Sequence, residues 1–336
     1  IKISRAWLQK EKGGNKPFSF FYGSEYVGTQ SLLEKEVSKQ DQSHATHVCG
    51  IAAGGNSSSP YQGIAPKAEI VFVEMGNSEA EIIDAINYIF QYADSRKKPA
   101  VVNLSLGSHL GPHDGSSYID RSFDKLSGKG KIIVGSAGNE GNVNLHLKYF
   151  FQNNTDTLRS IIGINKTENE SFQSFVDIWG NANSSIRYGL EIYDLESLEK
   201  VYSTNFGNSL YNFKIDQTWN SENEEISLKA NSTRKNSANN KPNIEILISN
   251  PLYEKYGVSL VLISDAQNHV EIWNAGYGND ASLISPNNHP KWTSGNSHST
   301  ISEIGGTGKK VISVGAYTTR KTWFDLNETA QQNSDE

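Results

Sequence analysis

The hydrophobic patterning of this 336-residue chain changes character twice, and a fold of one class does not accommodate both changes. From residue 41 to about 145 the apolar residues come in short unbroken runs. These are Ile70-Val71-Phe72-Val73, Ala100-Val101-Val102 leading into Asn103-Leu104-Ser105-Leu106, and Lys131-Ile132-Ile133-Val134-Gly135. Such runs suit strands buried on both faces, as in a parallel sheet. Two helical stretches separate them. The first opens with Ser78 and Glu81 at capping-box spacing and repeats Ile82, Ile86, Ile89 and Ala93 on one face. The second repeats Ile119, Phe123 and Leu126 and stops at Gly128. Strand, helix, strand, helix, strand predicts a parallel sheet with right-handed crossovers.

Between about 150 and 290 the runs give way to alternation. Ile186, Tyr188, Leu190 and Ile192 alternate with Arg187, Gly189 and Glu191, and Ile244, Ile246 and Ile248 flank Glu245 and Leu247. That is the signature of antiparallel strands with one face buried. Val261-Leu262-Ile263 and Val270-Glu271-Ile272-Trp273 flank a polar turn at Asp265 to Asn268 and predict a hairpin, while Asn231 to Asn240 is a loop by composition. After the alternating stretch, Val311-Ile312-Ser313-Val314-Gly315-Ala316 returns to the buried-strand style. The pattern predicts three segments: an α/β domain over 1–149, a β-rich insertion over 150–290, and the α/β domain resumed over 291–336. Residues 1 to about 40, rich in aromatics and glycine, read as loop and short strand.

Composition excludes several functions. Thirty-one Lys and Arg against 37 Asp and Glu leave a net charge of −6, so nucleic acid is not an expected partner. No apolar run approaches the roughly 20 residues that span a bilayer. The single cysteine, Cys49, excludes an intrachain disulfide. The chain begins at Ile1 and ends in a polar run, which reads as an internal fragment with any signal peptide upstream.

The residues with chemical potential are concentrated in Asp41-Gln42-Ser43-His44-Ala45-Thr46-His47-Val48-Cys49-Gly50. An imidazole among small residues at a helix start is open to an approaching substrate and suits a general base. His44 and His47, three apart, also raise a metal-ligand pair, although no third ligand has the expected spacing. A structural role is the simpler reading for His47. Cys49, one turn past the base, reads as a core residue, with a catalytic thiol as the alternative. Trp179, Trp219 and Trp273 offer either an exposed binding platform or core aromatics.

The segment Ser43-His44-Ala45-Thr46-His47-Val48-Cys49-Gly50 resembles the histidine motif of the subtilisin-like serine proteases, with Ala45 in place of the usual glycine. Gly63-Ile64-Ala65-Pro66-Lys67-Ala68, Val102-Asn103-Leu104-Ser105-Leu106-Gly107, Gly135-Ser136-Ala137-Gly138-Asn139-Glu140-Gly141 and Val311 to Ala316 resemble further motifs of that family, in its order. The insertion, with Ser117 to Lys129 and the segment ending at Arg320, is similar to the bacterial envelope and spore-germination subtilases. The resemblance implies a subtilisin-like parallel sheet flanked by helices and interrupted by an antiparallel, jelly-roll-like insertion. It implies His44 as general base, Asn139 as oxyanion-hole donor, and Ser105, Leu106, Gly107, Ala137 and Gly138 as the walls that bind a protein or peptide substrate. No cofactor or metal is implied by these motifs, and a secreted or cell-envelope location goes with the family.

Two parts of that machinery have no match. No Gly-Thr-Ser-x-Ala segment occurs, and no Asp-Ser/Thr-Gly segment precedes His44. Asp41 reads as a structural partner and not as the triad acid. The nucleophile and acid are therefore expected outside Ile1–Glu336, with the chain as it stands unable to hydrolyse peptides and the apolar surface meant for the missing helix and strand left open. The alternatives are a catalytically dead scaffold whose insertion binds a partner, and an insertion that binds carbohydrate or protein.

Overall fold

The computed structural model describes residues 3–35, 42–55, 62–76, 78–163, 173–221, 225–249, 255–276, 281–317, 321–324 and 329–332. The chain divides into two compact units, Ile1–Ser105 with Arg121–Val134, and Leu106–Asp120 with Gly135–Glu336. Asp41 and Arg320 lie outside the described residues.

In the first unit β1 (Ile3–Leu8) pairs antiparallel with β2 (Ser24–Val27) and parallel with β3 (Ile70–Glu74). Trp7, fully buried, anchors this sheet: its ring lies 4.6 Å from Phe20, 5.1 Å from Tyr22 and 5.2 Å from Tyr88. After α1 (Thr29–Glu34) comes α2 (Gln42–Ala53), which carries the histidines. The strand β3 leads to α3 (Glu79–Ser95), where the capping box forms as expected: Ser78 Oγ accepts the Glu81 N–H, and the Glu81 carboxylate accepts the Ser78 N–H. Ile82, Ile86, Tyr88, Phe90 and Ala93 form its buried face.

One expectation is corrected here. The three apolar runs do not share one sheet: β3 ends the order β2-β1-β3, whereas β4 (Ala100–Leu104) and β5 (Lys131–Ser136) are neighbours in another. Residues Arg5 to Leu8 occupy the edge of β3 in parallel register with Val71 to Glu74. The expected burial on both faces is corrected as well: β3 is half-buried along its length, and in β4 and β5 buried residues occur on one side, since an apolar run fixes neither a strand's neighbour nor what covers its second face. Between β4 and β5 runs α4 (Tyr118–Leu126), with Ile119 and Phe123 fully buried. Val102, Leu104 and Ile133 are buried, while Val101 and Ile132 stand 64% and 40% exposed, so each of these strands has an open apolar side.

The second unit is dominated by two antiparallel sheets. One contains β7 (Thr157–Ile162), β9 (Ile186–Asp194), β10 (Lys200–Ser203), β11 (Gly207–Asn208), β15 (Tyr256–Ser264) and β17 (Leu283–Ile284), in the order β10-β9-β15-β7-β17 with β11 also beside β9. The other contains β6 (His146–Phe150), β8 (Gln173–Gly180), β12 (Lys214–Asn220), β13 (Glu225–Thr233), β14 (Asn243–Ser249) and β16 (His269–Asn274), in the order β12-β13-β14-β8-β16-β6. One hydrophobic cluster draws on both: Leu190, Leu260 and Leu262 from the first, Val176, Leu228 and Ile246 from the second. This is sheet-on-sheet packing with inward side chains alternating along each strand. After the two antiparallel sheets the chain forms β18 (Val311–Val314), a strand of the sheet β18-β5-β4 in which Ile312 and Val314 are exposed, and then the pair β19 (Thr322–Phe324) with β20 (Ala330–Gln332).

Three further expectations change. Residues Asp265 to Asn268 do not close a hairpin: β15 pairs with β7 and β9, and β16 with β6 and β8, so the turn carries the chain from one sheet to the other. Residues Asn231 to Thr233 belong to β13, in register with Glu245, Ile244 and Asn243, and the Asn/Ser-rich loop starts only at Arg234. Trp179 and Trp273 are buried, at 7% and 2% exposure, and Trp219 packs against the edge of the main cluster, which removes the aromatic platform. The chain enters and leaves the sandwich at one place. His146 N–H donates to the Asn296 carbonyl and Asn296 N–H to the His146 carbonyl, while Leu283 N–H donates to that of Asn144.

Candidate active site

The histidine segment forms the first turns of α2, where His44, Ala45, Thr46 and His47 are all exposed. Among the described residues no three His, Cys, Asp or Glu side chains are grouped to hold a metal ion. Cys49 is half-buried and unpaired rather than in the core, and burial raises its thiol pKa. Ser105 ends the first unit, its hydroxyl accepting from Asn103 Nδ2 at 3.0 Å.

The second unit brings together Leu106, Gly107, Ala137, Gly138 and Asn139. Leaving β5, the chain turns through Gly138 at φ +106°, a conformation a side chain would strain, and presents Asn139 exposed at the tip. Ser136 Oγ donates to the Leu106 carbonyl at 3.0 Å. Ser302, only 1% exposed, laces the two segments: its N–H donates to the Ala137 carbonyl at 2.9 Å, and its Oγ accepts the Ser108 N–H at 2.8 Å. A Cβ on Gly107 would sit 2.5 Å from Ser302 Oγ, so only glycine permits this approach. On the far side Ala137 N–H donates to the carbonyl of Val314 in β18. The result is an exposed carboxamide at the end of a strand, beside two small-residue segments held together by Ser302 and Ser136. Such a carboxamide can donate to an oxygen that gains charge.

Behind the turn lies a polar cluster that sequence reading did not single out. Glu140 Oε2 accepts the Asn139 N–H at 2.8 Å and lies 3.3 Å from His109 Nε2. His109 is buried, and burial lowers its pKa; its Nδ1 has no partner among the described residues, and the carboxylate beside Nε2 calls for the proton on that nitrogen. His113 stacks on His109 at 5.6 Å and on Trp273 of β16 at 4.2 Å. Its Nδ1 is 2.8 Å from the Ile301 carbonyl, and burial pushes its pKa down to about 4. Below it, Glu303 accepts the His113 N–H at 2.8 Å, while Thr307 Oγ1 lies 2.8 Å from Asp120 Oδ2 and 3.2 Å from Glu303 Oε2. Burial and the Asp120 charge raise the Glu303 pKa. Asp177 of β8 accepts from Gly111 N–H at 2.7 Å, Trp179 Nε1 at 2.8 Å and Asn243 Nδ2 at 2.5 Å, yet burial carries its pKa up to about 7. The only sequence trace of this cluster is the four-residue spacing of His109 and His113 in a Gly-rich loop, which also fits a solvated surface.

Comparison with known proteins places the chain. The model of the subtilase family matches residues 22–335. Thermitase from Thermoactinomyces vulgaris is 31% identical over 45% of this chain and 54% of its own length. Subtilisin Savinase from Lederbergia lenta is 32% identical over 34% of the chain and 41% of its own, and the major intracellular serine protease of Bacillus subtilis 28% identical over 42% and 48%. The chain thus spans about half the length of the curated relatives it matches. The solved structure of the Clostridium perfringens CspB protease superposes with a TM-score of 0.68 over 94% of this chain and 63% of that one, at 19% identity, which speaks for the fold.

Proposed function

Because the chain belongs to the subtilase family, we propose that it supplies the base and the oxyanion donor of a serine endopeptidase. His44 takes the proton from the attacking serine hydroxyl and returns it to the leaving amine. Asn139 donates its carboxamide N–H to the oxyanion of the tetrahedral intermediate, and Ser105, Leu106 and Gly107, together with Ala137 and Gly138, bind an extended peptide. The serine and the aspartate come from sequence outside these 336 residues, so the chain by itself is inactive. The observation that supports this most is the turn at Asn139: an exposed carboxamide at a strand end, held by Gly138 at positive φ between segments laced by Ser302. A place outside the cytoplasm belongs to the same reading, and so does a domain organisation of 1–149, 150–290 and 291–336 with the β sandwich as an insertion.

The test is hydrolysis of a fluorogenic peptide mixture by the protein as its gene encodes it. His44→Ala is expected to abolish turnover. Asn139→Ala is expected to lower kcat by about 100- to 1,000-fold with KM little changed, since the donor serves the transition state and not the bound substrate. A wild-type protein without peptidase activity, or an Asn139→Ala variant as fast as wild type, overturns the proposal.

A further inference from the structure

The cluster behind Asn139 links its turn to the β sandwich through a series of side chains. Glu140 holds the Asn139 N–H and is met by the Nε2–H of His109. His109 is 6% exposed, and since a carboxylate oxygen accepts, its contact with Glu140 calls for the tautomer with the proton on Nε2, while Nδ1 has no competing partner among the described residues. The ring is flanked by His113, near-parallel and offset at 8° with centroids 5.6 Å apart, and Trp273 stacks on His113 at 10° and 4.2 Å, which restricts its swing. Trp273 is itself fixed, being 2% exposed and donating Nε1–H to the Ser299 carbonyl at 2.9 Å. The loop bearing both histidines is tied to the sandwich a second time where Gly111 N–H meets Asp177.

We propose that His109 is a positioning residue for Asn139, acting through Glu140, and that Trp273 of the β sandwich locks it in place, so the insertion braces the oxyanion turn. The catalytic half of this rests on the reading of Asn139 given above; the bracing does not. With one acceptor oxygen of Glu140 shared between Asn139 N–H and His109, the carboxylate cannot leave the turn without abandoning a buried donor. The insertion then serves the chemistry by fixing where a donor stands before charge develops, which is the condition for a preorganised oxyanion hole.

The experiment follows the Asn139 backbone amide by NMR in the whole protein. His109→Gln places an amide N–H where Nε2–H stood and is expected to keep the Asn139 resonance at its native position. His109→Phe keeps the ring but removes the donor, and is expected to shift the resonance and speed amide exchange about tenfold. Should His109→Phe not fold, His109→Asn, whose amide reaches only the Nδ1 position, is expected to give the same loss. Trp273→Ala is expected to behave like His109→Phe, and Trp273→Phe like wild type. In peptide hydrolysis the damaging variants are expected to lower kcat about tenfold with KM within about twofold, and the conservative ones to restore it. An Asn139 amide unmoved by both His109→Phe and His109→Asn, or moved as much by His109→Gln, overturns the bracing. A silent wild-type protease with these amide responses intact overturns only the assignment of Asn139 to catalysis.

Discussion

Replacing Asp177 by asparagine is expected to stabilise the second unit in alkaline solution and to leave it nearly unchanged in acid. Asp177 is 3% exposed, and its three neutral donors, Gly111 N–H, Trp179 Nε1–H and Asn243 Nδ2–H, do not offset the loss of hydration, so its pKa rises from 3.8 to about 7. A carboxyl raised in the folded state binds its proton there while the unfolded chain has released it. Stability is therefore full below pH 3.8 and is lost as pH climbs to about 7. At about 1.4 kcal/mol per pH unit the whole window is worth about 4 kcal/mol, of which about 3 falls between pH 5 and pH 8.5. In D177N the amide oxygen keeps the donors on the Oδ2 side, its NH2 faces Asn243, and a flip of Asn243 supplies the acceptor, so no charge is buried at any pH. Urea unfolding followed by tryptophan fluorescence, with Trp179 as an adjacent reporter, gives the stability of D177N relative to wild type at the two pH values. Taking the difference cancels the other titrating groups, Glu303 and the histidines among them. A relative stability that stays flat from pH 5 to pH 8.5 refutes the reasoning. So does Asp177→Ala matching D177N, since alanine abandons three donors at about 1 to 3 kcal/mol each.

Cys49, with its thiol pKa raised by burial, is expected to react slowly with a disulfide reagent at neutral pH, and Cys49→Ala to keep full hydrolysis; loss of turnover in that variant would restore the thiol as nucleophile. Ser78→Ala removes a capping box formed on both sides and is expected to cost about 1 kcal/mol in denaturant unfolding, with Ser78→Asp recovering most of it.

What the sequence disclosed divides along the range of the interaction concerned. The capping box of α3, the buried Ile82, Ile86 and Ala93 of its expected stripe (Ile89 is half-buried), and the alternation in β14 depend on neighbours a few residues away and were legible, whereas β9 is buried on both faces. The partner of β3 and the sheet change between β15 and β16 were not, because a strand's period fixes its faces and leaves its neighbour open. Glu191 makes the same point in reverse. It alternates as a solvent-facing residue, yet it is 3% exposed, since Arg159, Lys200 and Tyr193, distant or on its own face, converge on its carboxylate. At the candidate site the motif residues were readable as a family resemblance. The cluster of His109, His113, Glu140 and Trp273 spans 164 positions of sequence (109 to 273) and could emerge only once the chain was folded.

The crossing point of the sandwich, where His146 and Asn296 exchange backbone hydrogen bonds, sets how such a module can be gained or lost. A segment whose two ends lie one strand spacing apart replaces a turn in its host without moving either flank. Because the two ends meet at this pair, lengthening or shortening the segment between them leaves the flanking backbone where it stands. Removing that segment would also remove Trp273 and Asp177, and the loop of His109 and His113 would lose the indole stacked on His113 and the carboxyl that accepts Gly111 N–H.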